Sequence, residues 1–379
     1  MRKSLINNNI IYCVYHEIQN EERSREILEI LESIGKVTLI SFSKFDKKYN
    51  VKQIITSGGK LKYLNFIIKS ILTFINNKNT EIIVLHDNYT SILIPFAKII
   101  FYKKIIIFDS SELYPLFEIR KRFKIYQFSF FKELFLSLNE RIFLKYCNLI
   151  IAANKYRAIA MHKYYKLKKL PFVFDNVHQI KNEYNYNYCM QKYKSIIDKS
   201  KYIFVYAGGI YYDRDTIEIA KAFIENGEKY RLIICGKYGK KEKEELDDII
   251  SNNKAKNIYY IGFISREELK YLYENCHVGI SAFKKNTINN KYCASGKIYE
   301  CLFCKKPILC SDNLPFKELC NKYKVGIATK NYAIGINSII NNYEYYQANA
   351  KKFADEYNNQ NKKEELKKMI YYEIMKDNI

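Results

Sequence analysis

Short apolar, β-branched runs alternate with amphipathic helical patterns along nearly the whole chain, and this alternation constrains the fold more than any other feature. IIYCVY (10–15), KVTLISF (36–42), EIIVLHD (81–87), KIIIFD (104–109) and NLIIAAN (148–154) are near-continuous in Ile, Val and Leu, as strands buried on both faces are. Between the first two, EERSREILEILESIG sets Ile27, Leu28, Ile30, Leu31 and Ile34 on one helical stripe, which Gly35 ends. A second series follows: YIFVYAGG (202–209), YRLIICGKYG (230–239), NIYYIGF (257–263), VGISAF (278–283) and KPILCSD (306–312). Such alternation predicts an α/β fold with parallel sheets. A chain of 379 residues exceeds one ordinary hydrophobic core. The expectation is therefore two doubly wound, Rossmann-like domains, 1–180 and 201–342. The polar Tyr/Asn-rich stretch 181–200 reads as a linker, and 343–379 as a helical tail that could pack back on the first domain.

Composition narrows the class. With 48% hydrophobic and 27% charged residues the chain is a folded globular protein rather than a disordered one. The net charge of +23 suits nucleic acid, anionic lipid or anionic substrates. The abundance of Lys, Asn, Ile and Tyr, with no Trp and only five Pro, suits AT-rich codon usage equally well. The first residues lack a signal-peptide pattern. The longest apolar candidate for a membrane span, 91–108, is broken by Lys98, Lys103 and Lys104. A cytoplasmic setting is expected, with the ten cysteines as free thiols. Four of them lie in CASGKIYECLFCKKPILC (293–310), whose spacing does not match the paired C-x2-C units of common zinc sites. They read as small core residues, and no metal is expected.

Ligands of doubly wound sheets bind beyond the carboxyl ends of the strands. That directs attention to His86-Asp87, Asp109–Glu112, Gly208-Gly209, Gly236-Lys237, Phe263 and 293–300. Ser295-Gly296-Lys297 opens a helix whose first N–H groups and dipole favour a phosphate, with Lys297 adding a full charge. Glu300 lies one turn on, on the same face, and its two oxygens could take a ribose diol. A capped helix with a surface Lys–Glu pair is the plain alternative. Gly208-Gly209 permits close approach of a ligand, and Arg214 could offer it a forked donor unless Asp213 or Asp215 neutralises the guanidinium.

YAGGIYYDRDTIEIAKAF, RLIICGKYG, NIYYIGFISREELKYLYENCHVGISAF and NNKYCASGKIYECLFCKKPILCSD, in this order, resemble the family-4 glycosyltransferases of GT-B fold. VLHDNYTSILIPFA and IIIFDSSELYP resemble the same family's N-terminal half, and the likeness runs from about 81 to 330. The resemblance implies two Rossmann-like domains facing a central cleft, the first on the acceptor side. It implies metal-independent, retaining transfer of a sugar from a nucleoside-diphosphate sugar. Residue by residue, it places Glu300 at the donor ribose, Lys297 and Arg214 at the diphosphate, Phe263 and Ile264 at the base, and His86 against the transferred sugar. The expected donor site is thus Gly208, Gly209, Gly236, Phe263, Ile264, Ser295, Gly296, Ile298 and Glu300, with His86, Arg214 and Lys297 as catalytic residues. Asp87, Asp109 and Glu112 are candidates for the acceptor side. For Asp109 and Glu112, a general base and a helix cap with Ser110 and Ser111 are both open.

The chain departs from the family pattern in several places. Tyr292 stands where the first glutamate of E-x7-E is expected, with Asn289 and Asn290 nearby as substitutes for sugar contacts. Gly209 replaces an arginine, Ser111 a histidine and Lys305 a glycine, and the usual glycine-rich first loop is absent from IYCVYHEIQNEERS. His277 reads as a structural core residue, and His178 lies near the expected hinge.

The stretch RKRFKIYQFSFFKELFL (120–136) interleaves cations with aromatics, which suits an anionic membrane surface, single-stranded nucleic acid or plain packing on its own domain. The resulting expectation is a glycosyltransferase, peripheral on the cytoplasmic face of the inner membrane, that extends a glycan or lipid-linked glycan and binds no nucleic acid. A GT-B nucleotide-sugar epimerase, a non-catalytic relative and a basic nucleic-acid-binding protein are the alternatives.

Overall fold

The computed structural model describes residues 8–18, 21–44, 51–56, 61–113, 115–116, 128–181, 183–198 and 200–376. The chain divides into two compact units: Met1–Asn176 with Asn359–Ile379, and Val177–Asn358. The first holds β1 (Asn8–Val14), β2 (Gly35–Ser41), β3 (Lys52–Ile55), β4 (Ile82–His86), β5 (Ile105–Ser110), β6 (Leu149–Ala152) and β7 (Phe172–Val173). They form one sheet in the order β3-β2-β1-β4-β5-β6-β7. The second holds β8 (Tyr202–Ala207), β9 (Tyr230–Cys235), β10 (Ile258–Tyr260), β11 (Val278–Ser281), β12 (Ile308–Ser311) and β13 (Gly326–Thr329), ordered β10-β9-β8-β11-β12-β13. Every pairing is parallel. Each sheet therefore has one point where successive crossovers diverge, between β1 and β4 and between β8 and β11, and a crevice opens there at the carboxyl ends.

β3, β7 and β13 carry little sequence signal. β3 is a half-exposed edge strand with Lys and Gln, β7 has two residues, and β13 is GIAT. The expected linker is not one. Tyr186–Tyr193 is a helix capped by Asn185, and Cys189, Tyr193 and Ile196 enter the core of the second unit beside Ile203 and Leu269. The Tyr193 hydroxyl donates to Glu268 at 2.9 Å, so the tyrosines that make the stretch look polar are what anchor it. The tail divides as well. The helix Tyr343–Glu356 sends Ala350 and Phe353 into the second unit's core, whereas Leu366 and Ile370 of Gln360–Lys376 pack with Leu28 and Leu31 in the first.

The register of the first sheet sets His86 beside Asp109. Arg23, in the first turn of the helix Glu22–Glu32, reaches the same carboxylate, with Nη2 2.5 Å from Oδ1, and donates through Nη1 to the Phe174 carbonyl at 2.7 Å. Arg23 and Asp109 are both fully buried. Removing one partner of such a pair costs on the order of 3–5 kcal/mol, because the other charge is left buried and uncompensated. Arg23→Ala should therefore lower the first unit's unfolding free energy by about that amount in urea titrations. Arg25→Ala, which breaks a more exposed pair with Glu22, should change it by about 1 kcal/mol or less.

Candidate active site

At the carboxyl edge of the second sheet three loops meet. Gly236 follows β9 at φ +148°, and a Cβ there would lie 2.1 Å from the Gly208 carbonyl oxygen. The two loops can cross only because that side chain is missing, and Gly208 N–H donates to the Cys235 carbonyl at 2.9 Å. Phe263 follows β10 and is largely exposed, with Lys237 Nζ 5.3 Å from its ring centroid, while Ile264 packs against the core. Ser295 caps the helix Gly296–Phe303 by position without a side-chain capping bond; its hydroxyl accepts from Ser281 at the end of β11 at 3.2 Å. Gly296 fits against the buried His178 ring, since a Cβ would meet His178 Cδ2 at 2.4 Å. His178 thus supports the helix tip. Ile298 is buried in the core.

Glu300 is only 2% exposed, and both its oxygens face cations: Lys297 Nζ at 2.8 Å and Arg266 Nη2 at 3.2 Å. Arg266 opens the helix Arg266–Asn275 behind a Ser265/Glu268 capping box. Arg214 pairs with Asp213, and its guanidinium lies 4.1 Å from the Phe283 ring centroid. Asp215 instead accepts from the Tyr332 hydroxyl at 2.7 Å. The Asn290 amide donates to Asp213 at 3.2 Å and the Asn290 carbonyl accepts from Asn313, so Asn290 braces the Arg214 loop rather than offering itself to a sugar. The cysteines of 293–310 pack behind this edge: Cys301 Sγ occupies the space that a Cβ on Gly279 would need. Burial pushes the Cys304 thiol up to about 12. His277 Nδ1 accepts from Ile203 N–H at 3.0 Å, a structural role at the start of β8.

In the first unit His86, the last residue of β4, is fully buried. Its Nδ1 lies 2.8 Å from Asp109 Oδ2 and its Nε2 3.0 Å from Glu21 Oε2. Burial alone would lower the His86 pKa; the carboxylates of Glu21, Asp87 and Asp109 outweigh it and hold the imidazolium well above its usual range. Burial likewise opposes ionisation of Asp109, and Arg23 and His86 hold it below the ordinary carboxylate range nonetheless. One expectation needs correction. Asp109 has no accessible face for an acceptor, because Arg23 and His86 consume its carboxylate. His86 lines a pocket at the carboxyl ends of β1 and β4, with Glu21 and Ser24 in contact with Nε2. Asp87 stands at φ +60°, and its carboxylate accepts from Ser111 N–H at 2.7 Å and the Ser111 hydroxyl at 2.6 Å. Ser110 donates to the Glu112 carbonyl from within β5, so these serines lock loops together and cap no helix. Glu112 is exposed at the rim.

Residues 190–363 match the family described as glycosyl transferases group 1. That segment of the chain belongs to the group 1 glycosyltransferases. It contains every residue of the carboxyl edge just described, from Gly208 to Glu300. No curated protein matches the chain. Among solved structures, Anabaena HepE in complex with UDP and glucose aligns at TM-score 0.72 and 12% identity over 97% of this chain and 100% of that one. A glycosyltransferase from Rickettsia africae aligns at 0.71 and 14% over 98% and 99%. WaaG, a glycosyltransferase involved in lipopolysaccharide biosynthesis, aligns at 0.68 and 10% over 95% and 99%. At these identities the likeness shows the fold, which is GT-B.

Sequence reasoning missed Arg266, His16, Glu21, Arg23 and Ser24. A signal for the last four exists: HEIQNEERS directly follows β1, where a ligand crevice is due. The His86 environment has a pH signature. Glu21, Asp87 and Asp109 face its ring nitrogens, Ser24 contacts Nε2, the His16 ring lies 5.1 Å away, and Arg23 lies behind Asp109. A raised folded pKa gives stability fully present below the unfolded value of about 6.5 and lost as pH rises through the folded value. Urea unfolding of the first unit should show lower stability at pH 9 than at pH 6, and His86→Asn should remove most of that difference. Equal stability at both pH values in the wild type would refute the assignment.

Proposed function

We propose that the chain is a retaining glycosyltransferase that moves a sugar from a nucleoside-diphosphate sugar to a growing, lipid-linked surface glycan. The observation that carries this reading is the convergence of the Gly208/Gly236 crossing with the tip of the helix Gly296–Phe303, inside the segment that matches the family. In this reading the helix N-terminus, Lys297 and Arg214 stabilise the departing diphosphate, and their preorganised charge makes a metal unnecessary there. Glu300 takes the ribose hydroxyls by exchanging contacts with Lys297 and Arg266. Phe263 and Ile264 offer backbone to the base, while Gly208, Gly209, Gly236, Ser295 and Ile298 shape the cradle. The UDP and glucose bound by HepE and the lipopolysaccharide role of WaaG support the donor and acceptor classes.

A membrane-bound acceptor is supported by the surface of the first unit. The helix Lys62–Asn76 exposes Leu64, Ile68, Leu72 and Ile75 along one stripe. It packs on Leu93–Ile100, which exposes Phe96 and Ile99. The helix Phe128–Phe143 adds Phe131, Phe135, Leu138 and Ile142, with Arg141, Lys145 and Lys103 exposed around them. Apolar stripes edged by cations suit the interface of an anionic bilayer. Most of the basic cluster 120–136 (residues up to 127) lies outside the described residues; Lys132, which is described, donates to the Tyr89 hydroxyl at 3.1 Å. Among the described residues no helix is long and apolar enough to cross a membrane. In the proposed reading attachment is peripheral, at the cytoplasmic face.

Nucleoside diphosphates and nucleotide-sugars should raise the melting temperature of the wild type. Glu300→Gln and Glu300→Ala should weaken that binding about 10-fold or more, the order of a lost charged hydrogen bond. If no nucleotide stabilises the wild type, the transferase reading fails. The protein should float with anionic liposomes, and the double change Phe131→Glu with Phe135→Glu should release it, since each buried Phe contributes about 1.5–3 kcal/mol. Indifference of the wild type to liposomes would remove the membrane reading alone.

A further inference from the structure

A cavity of ≈ 360 Å³ lies in the first unit at the amino ends of β6 and β7, the sheet edge opposite the one that carries His86. Its volume falls in the range of about 300–1,000 Å³ typical of small-molecule sites. The turns that lead into β6 and β7 form one wall. The helix Gln360–Lys376 closes the other with Met369, Tyr372, Glu373 and Lys376, which recur at spacings of three and four and so share one face. That helix is fastened to the unit one turn earlier, where Leu366 and Ile370 enter the core and Lys363 pairs with Glu26 at 3.1 Å.

The lining is divided by chemistry. Leu144, Leu149, Leu167 and Pro171 are buried and form an apolar floor, which Phe172 and Met369 extend. Lys145, Lys168, Lys169 and Lys376 are exposed and stand around the mouth. Lys169 Nζ lies 3.6 Å from the carboxylate of Glu373, whose side chain is only 6% exposed. Among the described lining residues four lysines therefore stand against one glutamate.

This division selects a ligand class. The floor gains by covering hydrocarbon, at about 0.8 kcal/mol for each buried CH₂. Clustered ammonium groups repel one another, and an anion between them relieves the repulsion; lysine binds phosphate in this way, as a point charge. Glu373 adds a further demand, since a carboxylate only accepts hydrogen bonds and the head beside it must donate one. A phosphate monoester meets both conditions, because its second pKa of about 6 leaves some P–OH near neutral pH. We propose that this cavity binds a single apolar chain ended by a phosphate monoester, the chain against Leu149, Leu167 and Met369 and the head among Lys168, Lys169 and Glu373. Such an amphiphile ties the last turns of the helix Gln360–Lys376 to the turn before β7 and thereby stabilises the first unit. It is an effector rather than a substrate, for the cavity shares no residue with the candidate donor or acceptor sites. The inference is independent of the glycosyl-transfer reading and of the apolar stripes assigned to a membrane.

Calorimetry and melting curves with dodecyl phosphate below its micelle concentration test the assignment, with inorganic phosphate and uncharged dodecyl maltoside as controls. The wild type should bind dodecyl phosphate with one-to-one stoichiometry and melt at a higher temperature, and either control should bind far more weakly. Lys168→Gln with Lys169→Gln should weaken binding about 10-fold, the order of a lost charged hydrogen bond. Met369→Trp, which fills the floor, should weaken it as well. Lys240→Gln with Lys241→Gln, at exposed lysines of the second unit, should leave it unchanged. Amide exchange should slow at 167–172 and 369–376. Wild-type affinity in both cavity variants, or equal weakening by the Lys240/Lys241 change, would mean adventitious surfactant binding and overturns the proposal. So does an absence of binding, or protection confined to other segments. Binding seen only with vesicles containing phosphatidic acid, and lost on changing Lys168 and Lys169, would assign these lysines to a membrane-facing surface and also overturn the cavity site.

Discussion

Parallel pairing of every strand is the constraint from which the rest of this structure follows. A parallel strand can be reached only by a crossover, and right-handed crossovers force successive connections to one face until the strand order reverses. The reversal occurs once in each sheet, and there the loops after neighbouring strands splay apart. Tyr15-His16 and His86-Asp87 flank one such crevice. In the second unit Gly208-Gly209 follows β8, and Ser281, the last residue of β11, contacts Ser295. The chemistry-bearing residues of both units are therefore products of topology before they are products of local sequence.

The charges at these crevices are already engaged. Lys297 and Arg266 share Glu300, Arg214 pairs with Asp213, and Asp109 is held between Arg23 and His86. Two kinds of arrangement are involved. Arg214 and Lys297 are only partly buried, so a diphosphate can compete for them at small cost. Arg23 and Asp109 have no solvent to return to, so their pair is a fixed part of the frame. The distinction separates groups that can exchange partners with a ligand from groups that hold such residues in place.

Much of this organisation was legible in the sequence. Among the described residues the apolar runs marked ten of the thirteen strands, because central parallel strands must be apolar on both faces. Lys305 stands where a glycine is usual, and its backbone does adopt φ +61°. The edge strands β3 and β13 escaped because edges tolerate polar and small residues. The helix Tyr186–Tyr193 escaped because buried tyrosines that hydrogen-bond to Glu268 look like polar linker residues in one dimension. Glu300 and Lys297 could be paired from helical spacing alone. Arg266 could not, since it reaches Glu300 from a different helix. The His86–Asp109–Arg23 chain depends on strand register and on a helix 86 residues away from Asp109, and no local pattern announces it.

The central claim is that a nucleoside diphosphate binds the carboxyl edge of the second unit's sheet. Amide hydrogen exchange with and without nucleoside diphosphate tests it most directly, because it locates the ligand without requiring an acceptor. The account predicts slowed exchange at 208–209, 236–237 and 295–300, with the first turn of the helix Gly296–Phe303 most affected. Protection confined to other segments, or none at saturating ligand, would contradict it.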